Sequence, residues 1–115
     1  MKRVVIKIGS SVLTDATTII NFNAFASLVD QIAWAKSKGY EPVVVSSGAI
    51  AIGMRKLGLK QRPQNIPLKQ AVAAVGQTGL MENYDRFFKE KNLKVGQVLL
   101  TNLILKNRSL FLNAR

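Results

Sequence analysis

The chain contains no cysteine and no histidine. Those absences exclude disulfides, thiolate nucleophiles, imidazole bases and the usual zinc sites. Acids are scarce too: Asp15, Asp30, Glu41, Glu82, Asp85 and Glu90 are all there are. No two form the close pair that a metal or glycosidase site uses, so no metal-ligating residue is assigned. No apolar run approaches the ~18 residues of a membrane span. The basic start Met1-Lys2-Arg3 is followed only by Val4 to Ile6 before Lys7 intervenes. A signal peptide needs roughly 7–15 apolar residues there, so a cytoplasmic protein without a membrane partner is expected.

What is present is a 115-residue chain, 48% hydrophobic, with a net charge of +11. That much apolar content is enough to build a core. The charge favours anionic partners such as nucleotide phosphates, acidic metabolites, nucleic acid or anionic lipid, without choosing among them.

Lys2 to Ile8 is rich in Val and Ile and predicts a strand running into the small-residue turn Gly9-Ser10-Ser11. Phe25, Leu28, Val29, Ile32 and Ala35 recur at spacings of three and four, predicting a helix over 23–38. Asn21 or Asn23 would cap it and Gly39 would end it. Val43-Val44-Val45 predicts a strand buried on both faces. A helix over 49–57 follows, then a basic loop, then a long helix over 68–91 with Pro67 in its first turn and a bend at Gly76 to Gly79. Glu82–Arg86 and Asp85–Lys89 are spaced as i,i+4 ion pairs. Val95 to Thr101 predicts a third strand, and 107–115 opens another helix. Strands joined by helix-length connections predict an α/β fold around a mainly parallel sheet.

The chemistry-bearing residues sit where the first two strands end, at Lys7-Ile8-Gly9-Ser10-Ser11 and at Ser46-Ser47-Gly48-Ala49. In a parallel sheet both loops open at the carboxyl edge, where α/β folds bind ligands. Small residues let backbone N–H groups approach an anion, and Lys7 adds a full positive charge. That combination suits phosphoryl transfer, which depends on positioning and charge stabilisation. Neither loop matches the P-loop or the Rossmann fingerprint. Two ordinary strand-to-helix turns, with Ser46 and Ser47 as helix caps, stand as the alternative. Met54, Met81 and Trp34 are expected in packing roles. The Lys56–Arg62 loop is either a solvated basic face or a flap beside a ligand.

The strings themselves carry a resemblance. Val4-Val-Ile-Lys7-Ile-Gly9-Ser10-Ser11-Val-Leu-Thr14 resembles the opening motif of the glutamate 5-kinases of the amino acid kinase family. Val43-Val-Val-Ser46-Ser47-Gly48-Ala49-Ile50-Ala-Ile-Gly53 is similar to their second loop, and Lys69-Gln70-Ala-Val-Ala-Ala-Val-Gly76-Gln77 to their central helix. Val95-Gly-Gln-Val-Leu-Leu-Thr101 and Phe111-Leu-Asn-Ala-Arg115 resemble later blocks, so the likeness covers nearly the whole chain.

The resemblance implies a three-layer α/β/α sandwich of which residues 1–115 are an N-terminal, incomplete part. The rest of the catalytic domain and an RNA-binding-like C-terminal domain would lie outside them. It implies transfer of phosphate from ATP, with Mg2+, to the side-chain carboxylate of L-glutamate, the first step of proline biosynthesis. Lys7 would act on the transferring phosphoryl group as the catalytic residue, with Gly9 and Ser10 beside the ATP phosphates. Ser47, Gly48 and Ala49 would bind glutamate. Homo-oligomerisation and proline feedback are implied as well, and the 115 residues alone are expected to be inactive. Segment 102–110 departs from the family pattern, with Asn107-Arg108 where an Asp-Arg pair is usual. Another amino acid kinase, a basic nucleic-acid-binding module and a non-catalytic remnant are the alternatives, nucleic acid being disfavoured by the few, non-interleaved aromatics.

Overall fold

The computed structural model describes residues 2–14 and 20–99. Strand β1 spans Lys2–Ile8. A four-residue helical turn, α1, spans Ser10–Leu13. Helix α2 spans Phe22–Ser37, strand β2 Tyr40–Ser46, helix α3 Ala49–Leu57 and helix α4 Ile66–Lys89. The result is a mixed α/β fold, as the alternation of apolar runs and helical periods predicts.

β1 and β2 pair in parallel, from Lys2 opposite Tyr40 to Ile8 opposite Ser46. β2 begins earlier than the valine run and includes Pro42. A proline has no N–H for the ladder, and β2 tolerates it as an edge strand. The pleat sends Val4, Ile6 and Ile8 toward the helices and Arg3, Val5 and Lys7 away from them.

The core lies between the sheet and α2 and α4. Phe25, Val29 and Ile32 of α2 meet Leu80, Tyr84, Phe87 and Phe88 of α4. The Phe25 ring stands edge-on to Tyr84 at 5.2 Å and stacks with Phe87 at 5.9 Å. Asn21 caps α2 by accepting from the Ala24 N–H at 3.0 Å, and Asn65 caps α4 by accepting from the Leu68 N–H at 2.9 Å. Pro67 sits in the first turn of α4 as expected.

α3 and α4 pack through glycines. A Cβ on Gly76 would stand 1.6 Å from the Ala49 carbonyl oxygen, and one on Gly53 would stand 2.0 Å from the Val72 carbonyl oxygen. Gly76 therefore serves close packing, and α4 runs as one helix through Gly76 and Gly79.

Several expectations need correction. Val43 and Val45 are 44% and 50% exposed, because among the described residues helices cover only one face of the sheet. The shortest dimension is 18 Å, the depth of one sheet and one helical layer. This is the incomplete form of the sandwich. Residues 95–99 do not join the sheet, which holds β1 and β2 only among the described residues. Leu100, Thr101 and the helix expected over 107–115 lie outside the described residues. Trp34 is 62% exposed rather than packed, with the Lys38 ammonium 5.9 Å from its ring centre. The described ion pairs are Arg3–Glu41 and Asp30–Lys91, not the two i,i+4 pairs of α4. Arg86 instead lies over the rings of Phe22 and Phe87, at 5.2 and 4.8 Å. Met54 is buried, as expected.

Candidate active site

The parallel register places the two small-residue loops side by side. Ile8 is opposite Ser46, so Gly9 and Ser47 leave the sheet together at its carboxyl edge. The Ser47 N–H then donates to the Ile8 carbonyl at 2.9 Å and ties the second loop to the first.

Lys7 is paired with Val45 and lies on the exposed face of the sheet. Gly9 is half-buried, and a Cβ there would meet nothing within 4 Å, so the space beside its backbone is open. Its carbonyl accepts from the Val12 N–H at 3.2 Å, which closes the turn into α1. Ser10 is the first residue of that turn.

Ser46, the last residue of β2, is half-buried, and Ser47 just after it is exposed. Gly48 is buried with φ +115°, a backbone region that residues with a side chain rarely adopt. This turn aims the chain into α3 at Ala49. Gly48 offers no side-chain acceptor to the helix, in contrast to the asparagine caps of α2 and α4. The serine-cap alternative therefore fails: neither Ser46 nor Ser47 caps α3. The first-turn N–H groups of α3 keep their capacity for an anion, and the helix dipole favours one there.

The structure thus brings Gly9, Ser10, Ser47, Gly48 and Ala49 to one edge, with Lys7 one residue inside it on the open face. Among the described residues there is no group of three or more acidic, histidine or cysteine side chains that could hold a metal ion. The described residues do not fit a magnesium site of their own. No helix among the described residues is long and apolar enough to cross a membrane.

Sequence reasoning missed one contact. The Tyr84 hydroxyl lies 2.8 Å from Ser46 Oγ, and Ser46 donates to the Ser47 carbonyl at 3.0 Å. Burial pushes the Tyr84 phenol above its ordinary value. The available signal was a tyrosine in an otherwise apolar stripe of α4, since a buried phenol needs a polar partner.

Comparison with known proteins agrees with this architecture. The amino acid kinase family model matches residues 2–114. The glutamate 5-kinase of Pelobacter propionicus is 48% identical over 115 residues, all of this chain and 31% of its own length. The glutamate 5-kinase of Teredinibacter turnerae is 49% identical over 114 residues, and that of Geobacter sulfurreducens 46% over 115, again at 31% of their lengths. The chain therefore spans just under a third of the curated relatives it matches. A family model matching nearly every residue, on a chain whose paired loops open at one sheet edge, is decisive: the chain belongs to the amino acid kinase family.

Proposed function

We propose that this chain supplies the phosphate- and glutamate-binding loops of a glutamate 5-kinase. The observation that carries the reading is the register Ile8 opposite Ser46, which sets a lysine-bearing loop beside a helix start without a side-chain cap. The likeness to three glutamate 5-kinases at 46–49% identity supports glutamate as the acceptor.

In this reading ATP is a substrate, with its terminal phosphates against Lys7, Gly9 and Ser10. The Lys7 ammonium offsets negative charge on the phosphoryl group as it moves. Glutamate lies against Ser47, Gly48 and Ala49, its carboxylate drawn by the free N–H groups at the start of α3. A carboxylate oxygen attacks the γ-phosphorus, the bond to the β–γ bridging oxygen breaks, and ADP and L-glutamyl 5-phosphate result. No step is assigned to magnesium, whose ligands would lie outside the described residues. A cytoplasmic, oligomeric enzyme open to inhibition by proline completes the reading.

The test is an acyl-phosphate trapping assay on the full gene product carrying these residues. Hydroxamate formation that needs both ATP and L-glutamate is the expected result. ATP-dependent phosphorylation of a different acceptor, with none of glutamate, would overturn the substrate assignment.

A further inference from the structure

We infer that Tyr84 and Ser46 are positioning residues for the Ser47–Ala49 loop, so that helix α4 sets the geometry of glutamate binding without touching glutamate. The inference rests on the glutamate-binding reading of that loop.

Both ends of the loop are fixed by α4. At its carboxyl end, Ala49 is in such close contact with Gly76 that even a methyl group has no room between them. At its amino end, Ser46 is held by Tyr84. Gly76 and Tyr84 are eight residues apart, about 12 Å along one continuous helix. One rigid rod therefore spans the loop and grips it at two points.

The hydrogen-bond directions give Tyr84 a defined part. A serine hydroxyl has one proton. Ser46 gives its proton to the Ser47 carbonyl, so its oxygen accepts from the Tyr84 hydroxyl. The chain Tyr84–Ser46–Ser47 orients the peptide that follows Ser47, whose N–H belongs to Gly48. The Ser47 N–H is held separately by the Ile8 carbonyl. Tyr84 is 4% exposed and its ring is packed against Phe25 and Phe88, so its hydroxyl is a fixed point. Neither Ser46 nor Tyr84 reaches the open face on which Lys7 lies.

Tyr84→Phe keeps the ring and removes only the hydroxyl. In the full gene product the glutamate KM is expected to rise about fivefold, from the loss of one neutral hydrogen bond. Both kcat and the ATP KM should stay within about twofold of the parent. Ser46→Ala should raise the glutamate KM similarly, and the double variant should be no worse than the worse single one, because the two groups act in series. A purely structural role would instead lower the melting temperature and leave the glutamate KM alone, which would overturn the inference. Amide exchange gives an arm independent of the substrate. In Tyr84→Phe the Ser47 and Gly48 amides should exchange about tenfold faster while Val45, whose N–H faces β1 in the same ladder, keeps its protection, in line with local opening. If the enzyme ignores glutamate altogether, the function reading falls, and this exchange pattern still decides the positioning role. Unchanged exchange at both amides would overturn it.

Discussion

At the scale of the residue, the placement of Gly9, Ser47 and Gly48 at one sheet edge, with Lys7 just inside it, follows from short-range features. Lys7 is the penultimate residue of β1, Gly9, Ser47 and Gly48 follow the two strands, and a small residue after a strand leaves room for backbone to meet a ligand. Lys7→Ala should lower kcat of the full gene product about 10²- to 10³-fold, the scale of losing one preorganised charge-stabilising group. Its exposure means that the melting temperature should barely move, since exposed substitutions lie within about 0.5 kcal/mol. Stopped-flow or trapping kinetics beside a thermal melt would separate the two. Ser47→Ala should raise the glutamate KM about five- to tenfold with kcat largely kept. A fall in kcat at constant KM would move Ser47 from binding to chemistry. The contact of Tyr84 with the second loop was not legible, because its partner is 38 positions away and no local pattern connects them. Its raised pKa carries a pH prediction. Below the ordinary tyrosine value near 10 the phenol is neutral in both states, and its stabilisation is fully present. As pH rises past that value the unfolded chain loses the proton first, so stability falls until the folded pKa is passed. Urea unfolding at pH 9 and pH 11 should therefore show a smaller alkaline loss in Tyr84→Phe than in the parent.

At the scale of the element, two kinds of boundary behaved differently. β1 and α3 have the limits that composition indicates, Lys2–Ile8 and Ala49–Leu57, because a Val/Ile run and a glycine stop are local facts. The strand expected from Val95 did not form among the described residues, because a strand is a pairing and residues 95–99 pair with neither open edge of the sheet. Burial of both faces of Val43 to Val45 failed for the same reason: periodicity reports apolarity, not what covers it. The α3–α4 contact is the element-level feature with the sharpest consequence. Alanine at Gly76 would gain about 1 kcal/mol in helix propensity. It would also place a methyl group 1.6 Å from the Ala49 carbonyl oxygen and 2.5 Å from the Gly53 nitrogen. Backbone cannot move aside as a flexible side chain can, and overpacking costs about 1–3 kcal/mol or more. The clash should win. Gly76→Ala is expected to lower the urea midpoint and, by forcing the start of α3 away, to raise the glutamate KM as well. Gly96→Ala, at a position with open space, is the control and should leave both unchanged.

At the scale of the whole molecule, the decisive fact is the uncovered face of the sheet. Val5 is 65% exposed, and with Val43 and Val45 it forms a cross-strand apolar strip between Lys7 and the Arg3–Glu41 pair. Parallel sheets are found with both faces covered, because crossover connections lay helices on each side. All the helical packing among the described residues lies on the other face, and they are two layers deep. A net charge of +11 opposes close association of copies, yet it is screened at moderate salt, where the Debye length drops below ~10 Å. The two effects predict a salt-dependent behaviour of the 115-residue chain. At low salt it should stay dispersed and bind a hydrophobic dye through the open strip. At ~0.5 M salt it should associate, and light scattering should rise with concentration. Val5→Thr together with Val43→Thr keeps the branched shape that suits a strand while removing apolar surface. That double variant should bind less dye and remain dispersed at high salt. Dye binding equal to the parent's would mean that the strip is already covered in solution and that a second layer is provided from elsewhere in the chain.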